Sequence, residues 1–176
     1  LIKISEIKKK FNNMEVVVIN DGSTDNSMKI LEEHNYLYDE IIVNPVNKGK
    51  GNAVKKGIEK ANGEYIIFQD ADLEYDPSDF NKFFNLIEKF DADLIIGSRF
   101  VYSDYTRSHN ILNKFGNMFI TMLFNLTYNT TFTDIYSCYA CFKKNLINSQ
   151  SLKTEGFEQH AEILCKVVKQ GSRFYE

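Results

Sequence analysis

The feature that most constrains the fold is a rhythm of short apolar runs, each closed by a polar or glycine-bearing turn and mostly followed by an amphipathic stretch. The runs are Glu15–Asn20, Ile41–Val43, Tyr65–Phe68 and Leu94–Ile96. They are continuous rather than alternating, which suits strands buried on both faces. Strand, turn and helix in repeated order is the pattern of right-handed βαβ units. The expectation is an α/β domain with a mainly parallel central sheet and helices on both faces.

The intervening segments fill in that scheme. Leu1–Phe11 reads as a helix with Ile4 and Ile7 on one face, and Lys8–Lys10 as its solvated end. Ser23–Glu33 reads as a helix that Ser23 or Thr24 could cap. Lys48–Gly51 is a glycine-rich turn, and Asn52–Ala61 an amphipathic helix with Val54, Ile58 and Ala61 on its apolar side. Pro77 suits the first position of a helix whose face uses Phe80, Phe83, Phe84 and Ile87. Beyond a polar loop, Val101–Ser108, the rhythm changes. A helix is expected over Ile111–Leu126, an irregular strand within Thr130–Phe142, and a last helix over Phe157–Lys169 striped by Phe157, Ala161, Leu164 and Val168.

Composition bounds the function. A core-forming chain of 176 residues with 43% hydrophobic residues fits one domain, 1–176. A net charge of −3 argues against a dedicated nucleic-acid binder. Cys138, Cys141 and Cys165 lack the further soft ligands of a zinc site and read as core or boundary thiols. An odd count without a regular framework suits a reducing, cytoplasmic compartment. No apolar stretch reaches membrane-spanning length. The apolar side of the Ile111–Leu126 helix fits a position near a bilayer and a position in the core equally well.

Ligands of open α/β sheets gather beyond the carboxyl ends of the strands. Three polar clusters fall there: Asp21-Gly22-Ser23, Asp70-Ala71-Asp72 and Gly97-Ser98-Arg99. A bend at Ala71 would aim the Asp70 and Asp72 carboxylates at one point, and hard oxygens suit Mg²⁺ or Mn²⁺ holding a diphosphate. Asp21 could accept from a base N–H or a ribose hydroxyl, or cap the next helix. Lys48, Gly49, Lys50 and Gly51 offer cations and backbone amides to phosphate without forming a Walker motif. Arg99 could reach the diphosphate or form a structural ion pair. Asp134, Glu158 and His160 are the remaining candidates in the second half, with Glu158 and Glu162 sharing a helix face.

These segments resemble the family 2 glycosyltransferases of GT-A fold, near the polyprenyl-phosphate sugar transferases. Val17-Val18-Ile19-Asn20-Asp21-Gly22-Ser23-Thr24-Asp25 is similar to the first family signature. Asn47–Ala53, Asp70–Pro77 and Gly97–Phe100 match the second, third and fourth. Thr133–Tyr139 and Gly156-Phe157-Glu158 match weaker motifs. The resemblance implies a Rossmann-like, three-layer fold, a UDP- or GDP-sugar donor and a divalent ion. It implies nucleoside contact at Asp21, donor contacts at Lys50, Gly51, Asp70 and Arg99, metal at Asp70 and Asp72, and catalytic roles among Asp72, Asp134, Glu158 and His160. It also implies an inverting displacement onto an acceptor hydroxyl or a lipid-carrier phosphate, in cell-envelope glycan synthesis at the inner face of the membrane.

The chain departs from the family pattern in four places. The opening strand and a closing Val-Pro-Ile segment are absent, so the domain is expected to be incomplete at both ends, with any membrane association made through parts outside it. Ala140 stands where relatives carry Lys or Arg, a loss that Lys143 or Lys144 could offset. His160 stands where relatives carry an acid or Gln. Two other functions fit fewer of these features: a sugar-phosphate nucleotidyltransferase, which would need an Arg-containing phosphate loop, and a non-catalytic nucleotide-sugar-binding protein.

Overall fold

The computed structural model describes residues 1–11, 13–72, 74–100 and 111–176. The expected polar loop Val101–Ser108 lies outside them. In chain order the elements are α1 (Ile2–Lys8), β1 (Val17–Asp21), α2 (Ser27–Glu33), β2 (Glu40–Asn44), α3 (Lys50–Lys60), β3 (Tyr65–Ile67), α4 (Phe80–Phe90), β4 (Leu94–Ile96), α5 (Ile111–Tyr128), β5 (Ala140–Lys143), α6 (Gln159–Gln170) and β6 (Phe174–Tyr175).

The strands form a helix–sheet–helix sandwich because their side chains alternate. Ile66, Leu94, Ile96 and Phe142 point to one side, where they meet Ile58 of α3 and Ile163, Leu164, Val167 and Val168 of α6. Ile95 and Cys141 point to the other, where they meet Ile7 of α1 and Phe80 and Phe83 of α4. The expected faces of α3 and α4 therefore hold. The stripe of α6 differs: Phe157 precedes the helix and is exposed, while His160, Ile163 and Val167 join Leu164 and Val168 inside.

β1 and β2 pair in parallel, from Val17 opposite Glu40 to Asp21 opposite Asn44. The second set has the order β3-β5-β4-β6. β5 runs against both β3 and β4, whereas β4 and β6 are parallel. β3, β4 and β6 thus share one direction, with the late strand β5 inserted between β3 and β4.

Among the described residues, the outer edges of β1 and β3 have no strand partner. A cavity of about 1620 Å³ lies between them, lined by Val17, Val18 and Ile19 on one side and Tyr65, Ile66 and Ile67 on the other. The cavity leaves the apolar run of β1, expected to be buried on both faces, only half-buried at Val17–Ile19.

Local starts shift for identifiable reasons. α2 begins at Ser27 rather than at Ser23, and neither Ser23 nor Thr24 caps it. Asn20 Oδ1 instead accepts from the Ser23 amide (2.9 Å), and Asp25 Oδ1 accepts from the Ser27 amide (2.9 Å). Gly22 turns the chain at φ 69°, where an added Cβ would lie 2.5 Å from the Asn47 nitrogen. α3 takes in Lys50 and Gly51, so the glycine-rich turn is shorter than expected. Pro77 opens a 3₁₀ turn rather than the helix itself, with Asp76 accepting from the Ser78 amide (3.0 Å) before α4 begins.

Candidate functional site

The polar end of the cavity lies where β1 and β3 stop. Asn20, Ser23, Lys50, Gln69, Asp70, Ala71, Tyr75 and Cys138 line it, together with Gly156 and Phe157 just before α6 and Gln159 and His160 in its first turn. Segments far apart in sequence meet here because β1 and β3 end on the same side and α6 delivers its first turn beside them.

Lys50 and Asp70 form the centre. Lys50 Nζ lies 2.5 Å from Asp70 Oδ2, both side chains about a quarter exposed. Burial works against the Lys50 charge, but its hydrogen bond to Asp70 outweighs this and holds the ammonium above its usual range. The same ammonium stands 5.7 Å from the Phe157 ring centre. A fixed cation at a strand end is suited to meet a phosphate.

Asp21 holds the neighbouring turn in place. Its carboxylate accepts from the Lys48 amide (3.1 and 3.2 Å), the Gly49 amide (2.9 Å) and Asn44 Nδ2 (2.5 Å). It is not a helix cap. The Gly51 amide donates to Glu155 O (2.7 Å), and Gln159 Nε2 donates to Gly51 O (2.7 Å). A Cβ on Gly51 would fall 2.6 Å from backbone atoms of Thr154 and Glu155. The amides of Lys48, Gly49 and Gly51 are thus used to lock α3 against β1 and the 154–155 segment, and Lys50 Nζ is the group this turn presents to the cavity.

Asp72 is exposed, with Oδ1 accepting from the Glu74 amide (3.0 Å). Asp70 and Asp72 flank one bend, but the expected convergence of their carboxylates is not seen: Asp70 lines the cavity and meets Lys50, while Asp72 does not line it and accepts from the Glu74 amide. Among the described residues no group of three or more His, Cys, Asp or Glu side chains gathers as a ready metal cage. Mg²⁺ is commonly held by one or two carboxylates with water and substrate phosphates. The hard oxygens of Asp70, beside Lys50, fit that mode, with Asp72 two residues further along the bend.

Arg99 and Asp134 form a second centre, which does not itself line the cavity but lies within electrostatic reach of its Tyr75 and Cys138. Asp134 is fully buried. Its Oδ2 accepts from Arg99 Nε (2.7 Å) and the Arg99 amide (3.3 Å), and its Oδ1 from Arg99 Nη2 (2.9 Å) and Asn117 Nδ2 (2.8 Å). Burial alone would raise its pKa, but the donors from Arg99 and Asn117 prevail and hold the carboxyl below its usual range. The structure thus places Arg99 in an ion pair.

His160 and Glu158 stand at the start of α6. The His160 ring is buried, 6.2 Å from the Phe68 ring, and its Nε2 has no hydrogen-bond partner among the described residues. Burial and the nearby Lys50 charge hold its pKa down to about 4, so it is neutral at physiological pH. Glu158 is exposed and accepts from the Gly156 amide (3.2 Å). Glu162 instead holds the 153–154 segment, accepting from both amides and from Thr154 Oγ1 (2.7 Å).

The expected compensation for Ala140 does not occur. Ala140 is fully buried in β5 opposite Ile96, where a cation would have no water. Because β5 is antiparallel to β3 and β4, it carries Lys143 and Lys144 to the opposite end of the sheet. Lys143 Nζ pairs there with Asp91 (2.6 Å) and Asp93 (3.2 Å), and Lys144 donates to Ala61 O.

Sequence reasoning gave no role to Gln69, Tyr75 or Gln159. Tyr75 stacks on Tyr139 at 4.8 Å between ring centres and lies 3.4 Å from Ser137 Oγ. Its position inside the third motif was the available signal. Gln159 carries none, since its partner Gly51 lies 108 residues away.

The family model described as Glycosyl transferase family 2 matches residues 4–149. The low-salt glycan biosynthesis hexosyltransferase Agl6 of Haloferax volcanii is 28% identical over 167 residues, covering 93% of this chain and 40% of that protein. The structure of S. aureus TarS residues 1–349 in complex with UDP superposes with a TM-score of 0.66 at 17% identity, covering 98% of this chain and 52% of that one. Glucosyl-3-phosphoglycerate synthase from Mycobacterium tuberculosis in complex with UDP gives a TM-score of 0.63 at 15% identity, covering 98% and 65%. The likeness to these solved structures is one of fold. The chain spans less than two thirds of each of these three proteins.

Proposed function

The chain belongs to glycosyl transferase family 2, and on that premise we propose that it serves an inverting, metal-assisted transfer of a sugar from a UDP- or GDP-sugar to a polyprenyl phosphate in cell-envelope glycan synthesis. The observation that carries this reading is the meeting of Lys50 and Asp70 at the polar mouth of the cavity, on a turn that Asp21 fixes.

Lys50 would face the donor diphosphate, oriented by its hydrogen bond to Asp70. Asp70 and Asp72 would hold Mg²⁺ or Mn²⁺, which when bound offsets charge on the leaving diphosphate. Asp21 keeps the turn, and so Lys50, in register with the end of β1. Gly51 and Gln159 fix the first turn of α3 against α6. In the transfer, an oxygen of the acceptor phosphate bonds to the anomeric carbon from the face opposite the leaving group. The bond from that carbon to the donor phosphate oxygen breaks, and the nucleoside diphosphate departs with the electron pair.

The phosphate acceptor is favoured over a sugar hydroxyl because the available bases are poor. Asp134 is saturated by Arg99 and Asn117. His160 is a weak base with a pKa near 4, and Glu158 is turned to the Gly156 amide. A phosphate monoester is already ionised near pH 7 and needs no base. A competition between short-chain polyprenyl phosphate and neutral saccharides for the same donor tests this. Transfer to the lipid phosphate is expected. Transfer to the saccharide alone would refute it and make Asp134, Glu158 and His160 the leading candidates for the base.

A further inference from the structure

We propose that Gln69 and His160 are the sugar-reading residues of the cavity, two hydrogen-bond acceptors that bind hydroxyl groups of the transferred sugar. The inference rests on the nucleotide-sugar donor reading and is independent of what accepts the sugar.

Among the described residues, four buried side-chain atoms lack a hydrogen-bond partner: Gln69 Oε1, Asn117 Oδ1, Thr121 Oγ1 and His160 Nε2. Asn117 and Thr121 belong to α5, whereas Gln69 and His160 both line the cavity. The two are neighbours in the fold. The ring of Phe68, the residue before Gln69, meets the His160 ring edge-on at 6.2 Å. Buried polar atoms nearly always have a partner, and one left without has given up hydration for nothing. Two such atoms on the lining of one cavity point to a group that enters the cavity to meet them.

Both atoms are acceptors. Gln69 Nε2 donates to Asp70 O (3.0 Å) and Tyr75 O (3.2 Å). Turning the amide over would set its oxygen against those two carbonyl oxygens, so Oε1 is the spare atom. The His160 ring donates to the backbone of Ser137. Because Nε2 has no partner, the proton sits on Nδ1 and Nε2 presents a lone pair. His160 is only 6% exposed, and burial together with the Lys50 charge keeps its ring neutral. Two lone pairs with no proton between them turn away a phosphate or a carboxylate. The Lys50 ammonium beside them disfavours a second cation. A neutral proton donor is left, and a sugar hydroxyl is one. An acceptor need not take the proton it meets, so this role suits a histidine too weakly basic to serve as the catalytic base.

Depth gives the ligand its direction. Phe157 is 73% exposed at the rim, and Lys50 Nζ lies 5.7 Å from its ring centre. His160, three residues on, is buried in the first turn of α6. The site thus passes from a cation near the rim to bare acceptors inside. A molecule with phosphate at one end and hydroxyls at the other matches that order, as a nucleotide sugar does where its diphosphate joins the sugar.

The test is calorimetry on the full protein with Mg²⁺, using UDP, UDP-glucose, GDP and GDP-mannose. H160N keeps a donor for Ser137 in place of Nδ1 and removes the atom at Nε2, whereas H160Q sets an amide oxygen near the Nε2 position. H160N is expected to bind the preferred nucleotide as wild type does, but the matching nucleotide sugar about tenfold more weakly. H160Q should regain most of that loss, and Q69M should show the same split as H160N. Monodeoxy versions of the preferred donor supply a test on wild type alone, should a variant not fold. At least one should bind about tenfold more weakly than its parent, and H160N or Q69M should bind that pair alike. Equal losses for nucleotide and nucleotide sugar, or no loss in H160N, overturn the inference and leave the donor reading standing. A monodeoxy series that binds wild type as tightly as the parent does the same. Binding of neither nucleotide by the folded wild-type protein removes the donor reading, and the inference with it.

Discussion

Replacing Arg99 by Met tests the buried ion pair most sharply. Asp134 is fully buried and receives two side-chain hydrogen bonds from Arg99. Removing the guanidinium leaves a buried carboxylate with Asn117 and one backbone amide as its donors. Breaking such a pair costs about 3–5 kcal/mol. Because the Arg99 side chain is 27% exposed, water can partly replace it, which places the expected loss near the lower end, about 3 kcal/mol. D134N keeps the shape, removes the buried charge and leaves Arg99 able to turn to solvent, so its cost should be smaller, about 1–2 kcal/mol. The double variant should cost less than the sum of the two, since no charge is then left buried and unpaired. Urea unfolding with an unchanged m-value is the assay. The pair's stabilisation should be complete above the ordinary carboxylate pKa of 3.8 and should fade as pH falls through the lower folded value. A cost below about 1 kcal/mol for R99M, or strict additivity in the double variant, would refute the reasoning.

Gly51→Ala should destabilise by about 1–3 kcal/mol, since its Cβ meets backbone atoms of Thr154 and Glu155; an unchanged melting temperature would count against this. Asp72→Ala, at an exposed carboxylate, should lower turnover far more than it lowers the melting temperature, and the reverse pattern would remove its assigned role. Nucleotide affinity should fall sharply when a chelator removes divalent metal; calorimetry with UDP and GDP checks this, and equal affinity for the preferred nucleotide would contradict it. Burial lowers the folded pKa of His160 from 6.5 to about 4, so its folded state resists protonation. Stability is then full above 6.5 and declines between 6.5 and 4, a decline that His160→Gln should flatten in pH-dependent melting.

What could be read in the sequence was what is local. Leu94–Ile96 is a strand with the bounds its apolar run indicated. The spacing of Phe80, Phe83, Phe84 and Ile87 gave the buried side of α4, because each element carries its own period. Tertiary pairing carried no such signal. The antiparallel insertion of β5 sent Lys143 and Lys144 away from the site, and no pattern within residues 130–142 specifies that direction. The third motif brought Asp70 to the cavity mouth as expected, but its partner Lys50 lies 20 residues away in another motif. From sequence Asp21 suits a ligand contact or a helix cap; in the fold it is no cap, and its carboxylate fastens the Lys48–Gly49 turn. A short polar side chain at a strand end can do any of these, and the choice depends on which backbone amides the fold brings near.

The central claim, that Lys50 and Asp70 mark a nucleotide-sugar transfer site, is tested most directly by donor turnover. The full-length protein would be incubated with a panel of UDP- and GDP-sugars, Mg²⁺ or Mn²⁺, and membrane lipid extract, with products identified by mass spectrometry. The account predicts release of one nucleoside diphosphate together with a sugar joined to a lipid phosphate, both lost in K50M and D70N variants that remain folded. Unchanged turnover in those two variants, or no turnover of any donor by the folded wild-type protein, would contradict it.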